Sequence, residues 1–271
     1  MKIKLKGVME TLLIPLSARA TETNSKNPRI KDDKAVEMVS NIEYDFDKFD
    51  KKMSREGVIA RTILLDRETE KFVNEYPNAI CISMGCGLDT RYHRINHNKV
   101  QWYNIDFPEV VALRKKLLYE NKNVHAIGKS ILDMSWLDEV VIEGREVLII
   151  MEGLLMYFTE TEVIQLFCII RSHLPNCTIL IEIMHPFIAR HSKYHDTVKS
   201  TDASFHWGIQ SGKDMEKLCE GFCFVQEWNL FEEMRNSGIM FQLAGSIPFI
   251  RNKNNKIVKL VLKEVDGFRK Y

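Results

Sequence analysis

The feature that most constrains this chain is an apolar run that ends on a glycine pair. Ala79-Ile80-Cys81-Ile82-Ser83-Met84 reads as a buried β-strand, and it stops at Gly85-Cys86-Gly87. Further apolar runs follow at Val100 to Ile105, Val124 to Ile127, Glu146 to Met151 and Cys177 to Ile183. Amphipathic segments lie between them. Glu109 to Glu120 sets Val110, Leu113, Leu117 and Leu118 on one helical face, and Thr161 to Leu174 reads as a second helix. Lys213 to Glu220 reads as a helix, Phe222 to Trp228 as a strand, and Lys256 to Glu264 as a last strand with period-two alternation. Strands alternating with helices specify a mostly parallel, seven-stranded α/β sheet covered on both faces. Such a Rossmann-like sheet binds ligands beyond the carboxyl ends of its strands, where the strand order reverses.

The first 76 residues have a different texture. They are rich in charge and read as helices, one around Asp32 to Asn41 and one from about Gly57 to Glu75, before Pro77-Asn78 breaks the chain. This predicts an N-terminal helical cap over residues 1–76 and a core over 77–271, with an insertion at about 185–208. That insertion is polar and aromatic, and a loop of such length is either functional or partly helical.

Composition narrows the field. Lysine plus arginine total 38 against 37 for aspartate plus glutamate, so charge gives no reason to expect nucleic acid or an acidic membrane as partner. The six cysteines form no C-x-x-C pair and sit mostly in apolar runs, which points to a reducing cytoplasm. Lys2, Lys4, Lys6 and the Ala18-Arg19-Ala20 triplet imitate a signal sequence. The apolar run between them, Leu12 to Leu16, has five residues and contains Pro15, short of the roughly 7–15 a signal core needs. His191 and His195 lie four apart with Tyr194 nearby, and His93 and His97 repeat that spacing, but neither pair has a third ligand or an H-E-x-x-H motif. No metal is expected.

The strand ends carry the chemistry. Gly85 and Gly87 open a turn where backbone can approach a ligand, while Thr90 stands where a dinucleotide fingerprint needs its third glycine. Asp106 ends the second strand nineteen positions after Gly87, a placement suited to accepting from two ribose hydroxyls; with Pro108 following, it also reads as a helix cap. After the third strand, Asp133 can accept from an adenine amino group with Met134 packed on the ring, or simply cap the loop. Glu152 follows five apolar strand residues, so it needs a cationic partner, either a ligand ammonium or an internal arginine. A glycine loop and three acids on successive strand ends suit a ligand with an adenosine and an amino-acid end, namely S-adenosylmethionine. An NAD-linked oxidoreductase, the rival in another class, is opposed by Thr90 and by the later acids.

These motifs resemble the leucine carboxyl methyltransferase superfamily, in the branch of the tetracenomycin-type polyketide O-methyltransferases. The matching pieces are Ser17-Ala18-Arg19-Ala20, Gly57-Val58-Ile59-Ala60-Arg61, Gly85-Cys86-Gly87-Leu88-Asp89-Thr90-Arg91, Ile105-Asp106-Phe107-Pro108, Asp133 and Glu152-Gly153-Leu154-Leu155-Met156-Tyr157. The resemblance covers residues 10 to 160 closely and the last third loosely. It implies that Arg19 and Arg61 grip the methionine carboxylate and that Gly85 gives room beside the methionine. It further implies that Asp106 holds the ribose, Asp133 and Met134 the adenine, and Glu152 the ammonium or sulfonium end. One departure is Asp32-Asp33-Lys34, where relatives carry Asp-Pro, read as a cost to the local turn.

The implied activity is methyl transfer to a carboxyl or hydroxyl oxygen of a small polyketide-like or aromatic molecule, with a protein C-terminal carboxylate as the alternative acceptor. Tyr157, His185 and His206 are the candidate acceptor-side residues, His206 sitting between Phe205 and Trp207. The segments from His185 to Gly208 and from Phe231 to Ile250 are expected to line the acceptor pocket. The basic run Arg251 to Lys256, with asparagines between its charges, reads as a solvated turn. Oligomeric state leaves no mark in the sequence.

Overall fold

Seven strands build one sheet in the computed structural model, which describes residues 1–3, 7–49, 51–95, 99–174, 176–191, 203–238, 241 and 253–262. The strands are β1 (Ile80–Met84), β2 (Gln101–Asp106), β3 (Val124–Gly128), β4 (Val147–Met151), β5 (Cys177–Ile183), β6 (Phe222–Asn229) and β7 (Lys256–Leu262), in the order β3-β2-β1-β4-β5-β7-β6. The first five pair in parallel, and β7 alone runs antiparallel to its neighbours. This is the Rossmann-like, mostly parallel sheet that the alternation of elements predicts. β1 and β4 are buried along their whole length, because helices cover both faces.

The strand order places the reversal between β1 and β4, so a crevice opens beyond their carboxyl ends. The antiparallel β7 has a second consequence. Its first residue, Lys256, pairs with Ile183 at the end of β5 and with Asn229 at the end of β6. The turn ahead of β7 therefore lies at the same edge as the other strand ends.

Three N-terminal helices reach this edge. They are α1 (Leu13–Thr23), α2 (Asp33–Asn41) and α3 (Lys52–Glu75). Leu13, Leu16 and Ala20 pack with Ala35, Met38 and Phe49, and this cluster takes in Leu88 after β1. Asp32 caps α2, its carboxylate accepting from the Ala35 amide at 2.9 Å. Helix α3 does two jobs. Its C-terminal half buries Leu64, Leu65, Phe72 and Val73 against Cys81, Trp102 and Leu148 of the sheet, while Gly57, Val58 and Arg61 of its first half face the crevice. It starts five residues before the expected Gly57, because that glycine sits inside the helix rather than ahead of it.

The remaining helices are α4 (Arg91–Arg94), α5 (Pro108–Leu117), α6 (Glu160–His173), α7 (Pro186–Arg190), α8 (Gly212–Leu218) and α9 (Leu230–Met234). Helix α5 stops three residues short of the expected Glu120, whose side chain turns back onto Arg114 at 2.6 Å. A capping box of Thr159 and Glu162 starts α6. The expected insertion contains α7 and an irregular stretch from Ala203 to Gly208; its middle lies outside the described residues, as do His97, Tyr194 and His195. No helix among the described residues is long and apolar enough to cross a membrane, and none of their His, Cys, Asp and Glu side chains group for a metal.

Candidate active site

The glycine loop is held by the neighbouring strand. Gly85 (φ +62°) and Cys86 both donate their amides to the Ile105 carbonyl. The left-handed backbone angle of Gly85 calls for glycine there, and a Cβ would also push aside a terminal methyl of Leu154, 2.6 Å away. Two residues on, Gly87 donates its amide to one oxygen of Asp106 at 2.7 Å, and the Phe107 amide takes the other oxygen at 2.7 Å. Burial pushes the Asp106 carboxyl up, and the two amides and Arg114 work against that rise. Each oxygen keeps lone pairs for further donors, such as a pair of ribose hydroxyls.

Behind the loop lies a buried ion network. Arg19 donates to Asp32 at 2.8 Å and to the Leu88 carbonyl at 2.9 Å. Asp32 also accepts from Arg94 at 3.0 Å and from the Thr90 hydroxyl, which gives Thr90 a structural reason to replace glycine. Arg91 reaches three carboxylates at once: Asp66 of α3 at 2.7 Å, Asp89 at 2.9 Å and Glu152 at 2.6 Å. Arg61 holds the other oxygen of Glu152 at 2.7 Å and Glu182 of β5 at 2.9 Å. Burial alone would raise Asp32, Asp89 and Glu152; the arginines around them win, and Glu152 is held at about 2.

These groups surround a cavity of about 520 Å³, well inside the usual range for small-ligand sites. Its polar lining includes Arg19, Arg61, Asp106 and Glu152, and Gly85 lies on the same wall. Its apolar lining includes Met156, Met184, Ile188, Phe205, Phe231 and Met234. Four carboxylates (Asp89, Asp106, Glu152 and Glu182) and two guanidiniums (Arg19 and Arg61) line the wall, with Arg91 and Arg94 paired to Asp89 and Arg91 to Glu152. Carboxylates suit an ammonium and ribose hydroxyls and guanidiniums suit a carboxylate, so S-adenosylmethionine fits this donor set. The two arginines also each keep one terminal nitrogen without a partner among the described residues, facing the needs of a carboxylate.

Comparison with known proteins agrees with this geometry. The family model for leucine carboxyl methyltransferase matches residues 13–171. The chain belongs to that family. It is 31% identical over 232 residues to the tetracenomycin polyketide synthesis O-methyltransferase TcmP of Streptomyces glaucescens, covering 85% of this chain and 86% of that one. It is 27% identical over 266 residues to the S-adenosyl-L-methionine-dependent methyltransferase dpfgK of Gibberella zeae, covering 90% and 89%. Among solved structures, the N-methyltransferase NodS of Bradyrhizobium japonicum WM9, bound to S-adenosyl-L-homocysteine, shares the fold with a TM-score of 0.52 at 12% identity over 92% of this chain and 99% of that one. This leucine carboxyl methyltransferase family member is thus an enzyme, an S-adenosylmethionine-dependent methyltransferase.

The family member brings Arg19, Arg61, Gly85, Asp106, Glu152 and Tyr157 to one cavity. It does not bring the other expected residues there. Asp133 and Met134 begin the exposed 3-10 turn after β3, where Asp133 accepts from the Ser135 amide and caps the turn. His185 caps α7 with its Nδ1, accepting from the Phe187 amide, and Lys253 and Lys256 add to its burial in holding its pKa down. His206 is exposed and pairs with Ser204 at 3.1 Å. The turn before β7, expected to be solvated, instead places Asn254 and Asn255 on the cavity wall.

Glu182, Asp66 and Arg94 escaped notice in the sequence, whereas Arg19, Arg61 and Glu152 of the same network did not. Glu182 interrupts the apolar run of β5 just as Glu152 ends that of β4, so the same burial argument applied to it would have found it. Asp32, in the stretch where relatives often have Asp-Pro, is the buried partner of Arg19.

Proposed function

We propose that this methyltransferase moves a methyl group to an oxygen of a small, largely apolar acceptor that arrives ionised, as a carboxylate or an acidic hydroxyl. The observation that carries the reading is one cavity whose wall joins charged side chains to a set of large apolar ones and contains no histidine among its described residues. When bound, S-adenosylmethionine supplies an activated methyl on sulfur. The chain's own part is to bind and align.

Arg19 and Arg61 would hold the methionine carboxylate, Glu152 its ammonium and Asp106 the ribose. Asp133 and Met134 would meet the adenine at the outer end of the site, beyond the enclosed cavity. Tyr157 stands on the wall with its ring against Phe205. Burial pushes its phenol up, with Thr11 and Arg61 opposing, so at neutral pH it is a hydrogen-bond donor and a poor base. Glu152 is clamped by two arginines and is equally unsuited to take a proton. A carboxylate nucleophile needs no base, and alignment alone then contributes several kcal/mol to the rate.

The test is a screen of aromatic and polycyclic carboxylic acids and phenols with S-adenosylmethionine, read by mass spectrometry for methyl esters and ethers. Ester or ether formation on these compounds is the expected result. Methylation of C-terminal peptide carboxylates instead would transfer the reading to a protein acceptor, and methylation of neither class would overturn it.

A further inference from the structure

The buried ion network is one cation short. Arg19, Arg61, Arg91 and Arg94 pair with Asp32, Asp66, Asp89, Glu152 and Glu182, which sets four guanidiniums against five carboxylates among the described residues. Both oxygens of each carboxylate are taken by N–H donors, the arrangement of the ionised form. Asp32, Asp66, Asp89 and Glu152 each touch two arginines. Glu182 touches one, Arg61, and shares it with Glu152. Its other donors are neutral: the Gly153 amide and Asn255 Nδ2, both at 2.8 Å. The surplus negative charge therefore sits at Glu182.

Nothing nearby offsets it. The cavity wall carries no lysine or histidine among the described residues, and its remaining acid, Asp106, bonds to two amides. Arg114, behind the glycine loop, is balanced by Glu120 at 2.6 Å. Glu182 is 1% exposed, yet it lies on the cavity wall with Glu152 and Asp89. A buried carboxylate without a cation of its own is costly, and a cation entering the cavity relieves that cost. At neutral pH S-adenosylmethionine carries one net positive charge, because its carboxylate and ammonium cancel and its sulfonium remains. Methyl transfer breaks the carbon–sulfur bond and leaves the electron pair on sulfur, while a lone pair of the acceptor oxygen makes the new bond to carbon. The resulting S-adenosylhomocysteine is neutral. The substrate thus balances the network and the product does not.

We infer that Glu182 is a specificity residue that makes this site prefer the sulfonium cofactor over its thioether product. The two ligands differ by one methyl group and one charge, and the surplus carboxylate reads the charge. Its place inside β5, with Arg61, Gly153 and Asn255 bonded to it, fixes that charge on the wall. Loss of the sulfonium then loosens the product, so turnover itself promotes release. This inference concerns the cofactor site and holds for whichever acceptor is methylated.

The experiment is calorimetric titration of wild type and Glu182→Gln with three ligands. These are S-adenosylmethionine, S-adenosylhomocysteine and sinefungin, in which a carbon bearing an ammonium replaces the methylsulfonium. Wild type should bind both cationic ligands about tenfold or more tighter than S-adenosylhomocysteine, the scale of one charge acting across a partly buried site. In Glu182→Gln that ratio should collapse toward one, with the cationic ligands weakened and S-adenosylhomocysteine not. A merely structural role would weaken all three alike. Glutamine keeps an oxygen for Arg61 and the Gly153 amide, and Asn255 can turn its carbonyl to the new NH2. Four guanidiniums then meet four carboxylates, so the variant should melt no lower than wild type. Equal affinities for the three ligands in wild type, a preference that survives in Glu182→Gln, or a variant that fails to fold each overturns the inference. None of these outcomes bears on the acceptor reading.

Discussion

Arg91 donates from Nη2 to Glu152 Oε2 at 2.6 Å, and this contact joins the start of the short helix after the glycine loop to the end of β4. The same guanidinium binds Asp66 on α3 and Asp89 in the loop, so one buried side chain ties the cap helix, the loop and the central strand together. Arg91 is not on the cavity wall, whereas Glu152 is. Its role is therefore to position the carboxylate that faces the ligand.

Arg91→Met should destabilise the protein by about 3–5 kcal/mol, since it leaves three carboxylates short of a buried cation. Urea unfolding measures this. In the fraction that remains folded, S-adenosylhomocysteine should bind at least tenfold more weakly, because Glu152 is then held from one side only. An affinity equal to wild type would mean that Arg91 is a structural strut with no influence on the site.

Glu152 also predicts a pH dependence. Its carboxyl titrates at about 2 in the fold against 4.5 when free, so the ionised form stabilises the folded state. That contribution is complete above about pH 4.5 and is lost as pH falls from there toward 2. Its size is on the order of 3 kcal/mol. Melting temperature followed from pH 6 to pH 3 should drop steeply in wild type and less steeply in Glu152→Gln, which has no proton to gain. Parallel curves would refute the assignment.

Much of this was legible in the sequence, and the limits have physical causes. The sheet could be read because each strand is an apolar run ended by a polar or glycine residue. Glu152 could be singled out because a carboxylate after five buried residues demands a cation, and the structure supplies Arg61 and Arg91. The rest of the network was hidden, since Asp66 and Arg94 lie in charged helical sequence that reads as solvated surface. Asn254 and Asn255 were hidden for a topological reason. Only the antiparallel setting of β7 carries their turn to the ligand edge, and strand direction is not written in an alternating pattern.

Asp106→Ala removes the acceptor of the Gly87 and Phe107 amides as well as the proposed ribose contact. S-adenosylhomocysteine affinity should fall about tenfold or more, as a buried hydroxyl pair loses its acceptor. Adenosine, which keeps the ribose but lacks the amino-acid end, should lose a similar factor. Calorimetric titration with both ligands checks this, and an unchanged Kd for adenosine would remove Asp106 from the ribose site.

Tyr157 joins the core to the cap through one contact, its hydroxyl donating to Thr11 Oγ1 at 3.2 Å, while Thr11 donates to the Val8 carbonyl. Both residues line the cavity, so the contact closes its wall. Tyr157→Phe and Thr11→Val each delete the same hydrogen bond and should each cost about 0.5–1.5 kcal/mol, with the double variant costing little more than either. The coupling should appear in S-adenosylhomocysteine affinity as well as in stability, because a cap that opens more readily releases the ligand faster. If Tyr157→Phe instead abolishes turnover while Thr11→Val leaves it intact, the phenol acts on the reacting groups directly rather than through the cap.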